Sequence, residues 1–134
     1  MKNNAANFNV EPWRAMLSDE QRGLFNAACG DLADQIVWHG NRLSKDDWRH
    51  LISGTVLGWR CMPAIDTGDG KPGIVMLGGS SLNLRKSECS DAITMAFHIG
   101  DCPAEQGLRD QLPVRWCDVI CLARGITDSE RVAA

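Results

Sequence analysis

From residue 24 to residue 36 apolar side chains return every three or four positions, at Leu24, Phe25, Ala28, Leu32 and Ile36. That period gathers them on one face of a helix. Ser18-Asp19-Glu20-Gln21 stands just ahead in the order of a capping box, so the helix is expected to open at Ser18, with Gln21 reaching back to the cap. Gly40 is its expected stop, since glycine accepts the left-handed backbone of a helix end. A second stripe follows at Trp48, Leu51, Ile52, Thr55, Val56 and Trp59. Ser44 caps it, Asp46 and Asp47 oppose the positive end of the helix dipole, and Pro63 ends any continuation.

The pattern then changes. Ala64-Ile65-Asp66-Thr67 and Ile74-Val75-Met76-Leu77 are short apolar runs around the glycine-rich Gly68-Asp69-Gly70-Lys71-Pro72-Gly73. That arrangement predicts a β-hairpin, with Gly78-Gly79-Ser80-Ser81 as the next loop. A third helix is expected to begin between Asn83 and Ser87, to bury Cys89, Ala92, Ile93, Ala96 and Phe97, and to end at Gly100 and Pro103. One short helix and one longer helix, from Val114 to about Arg124 with Gly125 as its stop, complete the chain. The expected fold is therefore α+β, a mainly α-helical single domain with one small β-hairpin. Residues 1–17 read as an N-terminal arm with Phe8 and Trp13 as docking points, 18–126 as the domain and 127–134 as a C-terminal tail.

Composition narrows the function classes. The 134 residues make one domain, large enough for a real core without staples. A net charge of -3 argues against gross attraction to nucleic acid or membrane, although a local basic patch remains compatible with it. The six cysteines hold no Cys-x-x-Cys pair, so neither a zinc knuckle nor any other metal site is expected. With no signal peptide and no apolar run of spanning length, the expectation is a cytoplasmic protein with reduced thiols, no membrane association and no cofactor.

Catalytic chemistry finds little support. His39 and His50 lack the carboxylate spacing of a zinc protease, His98 reads as a helix surface residue, and Asp46, Asp47, Asp66 and Asp69 sit where caps and turns want them. A metal-dependent nuclease is thus the weakest of the alternatives. Basic residues show more order. Arg42, Lys45 and Arg49 recur at three- and four-residue spacing, away from the Trp48–Leu51–Ile52 stripe, and Arg60 extends them. Arg85 and Lys86 follow the Gly78–Ser81 loop near a helix start, where backbone amides suit a phosphate. Arg115 and Arg124 lie in the C-terminal segment. Trp48 and Trp59 read as core, whereas Trp13, Trp38 and Trp116 are free to act as stacking platforms for bases.

The order Gly30-Asp31, Gln35, Trp38-His39-Gly40, Leu43 and Trp48, continued by Gly73 to Gly78, Ser80-Ser81, Leu84-Arg85, Glu88, Ala96-Phe97 and Gln106-Gly107, resembles the NinB family of phage and prophage recombination proteins. The likeness spans about Ser18 to Gly107. Asn26 departs from it, standing where the family commonly has an aromatic, and the segment from Gly100 to Arg115 is altered. The resemblance implies a recombination mediator without enzymatic activity, an intertwined homodimer that binds single-stranded DNA. Its implied partners are the bacterial single-strand-binding protein and a recombinase or annealing protein that it helps to load. It also implies DNA-contact positions at Gln21, Arg85 and Arg124. With the basic pattern, the candidate DNA-binding set is Gln21, Arg42, Lys45, Arg49, Arg60, Arg85, Lys86, Arg115 and Arg124. The alternative is an adaptor that binds the single-strand-binding protein without touching DNA.

Overall fold

A computed structural model of the chain describes residues 11–70, 73–77 and 84–125. Helix α1 (Ser18–Gln35) carries the expected face, with Leu24, Phe25, Ala28, Cys29 and Leu32 buried. Its cap differs from the expectation. Leu17 is the N-cap, and the Glu20 carboxylate accepts the Leu17 N–H at 3.1 Å. Leucine has no acceptor of its own, so half of the reciprocal pair is made. Gln21 points inward instead. The helix also ends five residues before Gly40. Trp38 and Asn41 exchange backbone hydrogen bonds of 2.8 and 2.9 Å across a two-residue turn. Its central residues, His39 and Gly40, have φ of 47° and 85°, the positive pair of a type I′ turn. Gly40 therefore serves a tight turn and not the helix terminus.

Helix α2 (Lys45–Leu57) has the full capping box. The Ser44 hydroxyl accepts from Asp47 N–H and the Asp47 carboxylate accepts from Ser44 N–H. It closes at Gly58, with φ of 73°, where Trp59 N–H returns to Gly54 O at 2.8 Å. This glycine terminus acts before Pro63 can. Trp59 is consequently half-exposed and Thr55 exposed, outside the buried stripe.

The hairpin exists but begins four residues earlier than its sequence pattern predicts. Strand β1 (Arg60–Pro63) pairs antiparallel with β2 (Ile74–Leu77), Arg60 opposite Leu77 and Pro63 opposite Ile74. Ala64–Thr67 therefore falls in the connection, where Asp66 accepts Gly68 N–H at 2.8 Å. Every residue of both strands is exposed. Met76 approaches Gly54 of α2, so by strand alternation Met62, Val75 and Leu77 lie on the opposite face. The Gly78–Ser81 loop, the C-terminal tail and residues 1–10, Phe8 included, lie outside the described residues.

Helix α3 (Lys86–Asp101) starts where expected but runs through Gly100. That glycine is required by packing, because a Cβ there would lie 2.3 Å from Trp116 Cζ2. Helix α4 (Asp118–Arg124) is shorter than expected. Val114–Cys117 stay outside it, with Val114 N–H bonded to Gly100 O of α3 at 2.7 Å. Helix α1 packs on α2, α3 and α4. The core formed there holds Trp48, Ile52, Ile93, Phe97 and Ile120. Trp13 and Trp116 join it edge-on to the Phe97 ring. Trp13 also donates to Thr94 Oγ1 at 3.1 Å from the short 3-10 turn Pro12–Ala15, so residues 11–17 are tied to α3. No helix among the described residues is long and apolar enough to cross a membrane.

Candidate nucleic-acid interface

The junction between α1 and α2 gathers the densest cationic set. Arg42 and Lys45 line a shallow groove of about 520 Å³ together with Gly30, Ala33, Asp34, Leu43 and Ser44. Arg49 lies one turn beyond Lys45. The positive charges of Arg49 and Lys45 both reach the buried Cys29 thiol and pull its pKa down, although burial dominates and pushes it up to about 12. Lys45 and Arg49 thus follow Arg42 within the first turns of α2, close enough to α1 for their charge to reach Cys29. Lys45 is exposed and makes no ion pair among the described residues. Arg49 pairs with Asp46 at 3.3 Å, an exposed bond of small strength.

Arg42 has a structural duty as well. Its guanidinium donates to Ala33 O and Asp34 O at 3.3 and 3.2 Å. Those carbonyls belong to the last turn of α1, where cations are favoured by the helix dipole. Arg115 approaches the same end. Its backbone N–H donates to Gln35 Oε1 and its carbonyl accepts from Gln35 Nε2, both at 2.8 Å. Arg115, itself exposed, is therefore anchored through its backbone at the same C-terminal end of α1 that Arg42 caps, 73 residues apart in sequence.

The remaining candidates separate. Arg60 is exposed at the base of the hairpin, next to Trp59, whose ring meets His50 edge-on at 6.3 Å. Arg85 and Lys86 stand exposed at the start of α3, but Glu88 turns back to accept Arg85 N–H at 2.8 Å and occupies part of the anion position there. Arg124 makes two hydrogen bonds to Asp101, at 2.8 and 3.2 Å, and lies 4.5 Å over the Phe97 ring. Only a fifth of its side chain is exposed, and its visible work is to hold α4 on α3. Gln21 is fully buried. Its Nε2 donates to Trp13 O and Ser90 Oγ, each at 2.9 Å. It joins the 3-10 turn, α1 and α3 from inside, and no strand can reach it in this fold.

The family-like residues around α1 also resolve into architecture. Asp31 Oδ2 accepts Cys117 N–H at 2.9 Å and so caps α4 from outside. Gln111 bonds both backbone groups of Val37. Trp38 packs edge-on against Trp48 with centroids 5.4 Å apart. Of the tryptophans proposed as stacking platforms, Trp13 and Trp116 are buried and Trp38 keeps partial exposure. The paired carboxylates are likewise in use, Asp46 with Arg49 and Asp47 in the α2 cap. Arg109 is exposed and makes no ion pair among the described residues. No periodicity in the sequence singles it out.

Comparison with known proteins gives a consistent result. A family model described as NinB protein matches residues 6–107. A solved structure described as "Structural Genomics, NinB" superposes with a TM-score of 0.54 and 24% sequence identity, over 78% of this chain and 69% of that one. At that identity the likeness is one of fold. No curated protein matches the chain.

Proposed function

The chain belongs to the NinB family, which makes it a phage recombination-related protein, and on that premise we propose that it binds single-stranded DNA as a homodimeric recombination mediator. The observation that carries this reading is the succession of Arg42, Lys45 and Arg49 at the α1–α2 junction, the first two on one groove, on a protein whose net charge is -3. A concentrated patch on an acidic body gives a strand one place to lie. Arg85 and Lys86 at the start of α3 and Arg60 at the base of the hairpin stand apart from this patch as separate candidate contacts, while Arg124 and Gln21 serve the fold. The proposed task is to help a recombinase or annealing protein load on strands covered by the single-strand-binding protein, in the cytoplasm of the bacterial host and without a reaction of its own. Two copies would meet through the exposed apolar face of the hairpin, at Met62, Val75 and Leu77.

The test is a titration of labelled single- and double-stranded oligonucleotides across a salt series. Single strands are expected to bind more tightly, with affinity falling steeply as salt rises. For an R42A/K45A/R49A variant, the slope of log affinity against log salt should shrink by about 2, at roughly 0.7 for each phosphate no longer neutralised. No binding at low salt, or an unchanged slope, would count against the reading.

A second reading has its own support. Arg49, Arg42 and Arg124 already have partners, and Gln21 is buried, so the free cations are fewer than the sequence promises. An adaptor that binds only the single-strand-binding protein would fit that arrangement. Capture of that protein by a chain that fails to bind naked DNA would select it.

A further inference from the structure

Three donor side chains of different chemistry converge at the C-terminal end of α3. His98 and Cys102 are four residues apart across the last turn, and Glu105 follows in the 3-10 turn Pro103–Gln106. One ligand atom from each lies within 4.8 Å of the other two, and His98 Nε2 stands 3.6 Å from Glu105 Oε2. We propose that His98, Cys102 and Glu105 form a zinc site, binding through a ring nitrogen, a thiolate and a carboxylate oxygen, with the fourth tetrahedral position open to solvent.

The donor set selects the ion. Magnesium and calcium take oxygen shells, whereas an imidazole beside a thiolate suits a borderline-soft divalent cation, zinc foremost. Glu105 sets a carboxylate beside the Cys102 thiol and the His98 ring, so a dication would meet negative charge as well as two softer donors. The thiol gives its proton to solvent and the sulfur lone pair goes to the metal, so binding one ion releases one proton.

The backbone that carries the donors is already fixed. Pro103 is buried, and Leu108 N–H and Gly107 N–H bond to Pro103 O and Ala104 O, each at 3.1 Å. Ile99 and Gly100 face the core, which leaves His98 on the solvent side. Asp101 is held by Arg124 and by Trp116 Nε1 at 2.8 Å, so it does not compete as a ligand. Among the described residues no other three such donors come this close. A zinc ion would tie the end of α3 to the turn that leads towards Gln111. The site shares no residue with the DNA-contact set, and its test is independent of DNA binding.

The probe is cobalt(II) titrated into the purified chain under a non-chelating reductant. The expected result is one equivalent bound, with a thiolate-to-cobalt charge-transfer band and the visible bands of tetrahedral cobalt, both bleached by added zinc. H98A and C102S should each weaken binding by about tenfold or more, while C61S, which removes the exposed thiol, should leave it unchanged. Circular dichroism with chelator present should be the same for C102S and the parent, showing that the fold survives. A chain that binds no cobalt, or whose charge-transfer band survives C102S, overturns the proposal.

Discussion

A methyl group on Gly100 would meet Trp116 Cζ2 at 2.3 Å and Cη2 at 2.5 Å. Trp116 is buried and its indole N–H is held by Asp101, so it cannot simply turn aside. Alanine gains up to about 1 kcal/mol in helix propensity, but overpacking costs about 1–3 kcal/mol, and the clash should win. Gly100→Ala is expected to lower the denaturant midpoint. Gly23, also within a helix, has open space where a Cβ would stand, with nothing within 4 Å, so Gly23→Ala should raise stability by about 0.5–1 kcal/mol. Gln21→Ala should cost roughly 1–3 kcal/mol, since Trp13 O and Ser90 Oγ lose their buried donor. At temperatures where that variant is folded, its affinity for single-stranded DNA should equal that of the parent. Cys29 gives a pH test. Burial pushes its thiol from the ordinary 9.0 up to about 12, so the fold prefers the protonated form. That contribution is complete below pH 9 and is lost as pH climbs towards 12. The fall in Tm between about pH 8 and about pH 10.5 should be shallower in Cys29→Ala.

At the scale of elements, α4 depends most on its surroundings. Seven residues are too few to hold a helix alone. It is held by Asp31 at its N-terminal end, by the Arg124–Asp101 pair near its C-terminal end and by Ile120 and Cys121 in the core. Asp31→Ala should therefore loosen α4 without unfolding the chain. The measurement is alkylation of Cys121, which is buried in the parent and should react several times faster in the variant. Helix α2 behaves differently because its signals are local. The Ser44–Asp47 box and Gly58 are contiguous with it, and its boundaries follow from them. The hairpin lies between these cases. Short apolar runs around a glycine-rich turn announced a hairpin, but the Schellman-type return of Trp59 to Gly54 starts the strand at Arg60. Register follows where the preceding helix releases the chain, and the apolar pattern of Ala64–Thr67 gives no hint of that point.

For the whole molecule, charge and association are the properties to measure. The hairpin leaves Met62, Val75 and Leu77 exposed at 40–45% of their surface. These side chains adjoin on one face of the hairpin, so they are where self-association is to be tested. If two copies meet there, Val75→Asp should shift the mass in solution from dimer to monomer with little change in monomer stability. A variant that keeps the parent's mass would move the contact elsewhere.

The amino-acid sequence alone determined the number and type of the main elements, the buried faces of α1 and α3, the α2 cap and the family. These rest on apolar period, on caps within three residues of each other and on residue order, all of which are local. The tertiary structure decided what long-range contacts impose. Gly100 reads as a helix stop until Trp116 is seen against it, and Gln21 reads as a capping residue and DNA contact until Ser90 and Trp13 enclose it. Arg124 looks like a free cation until Asp101, 23 residues earlier, claims it. Arg115 reaches the C-terminal end of α1 because Gln35 zips two distant segments together. Each of these side chains has a partner far along the chain, and only the folded backbone sets which polar groups meet and which are left for a ligand.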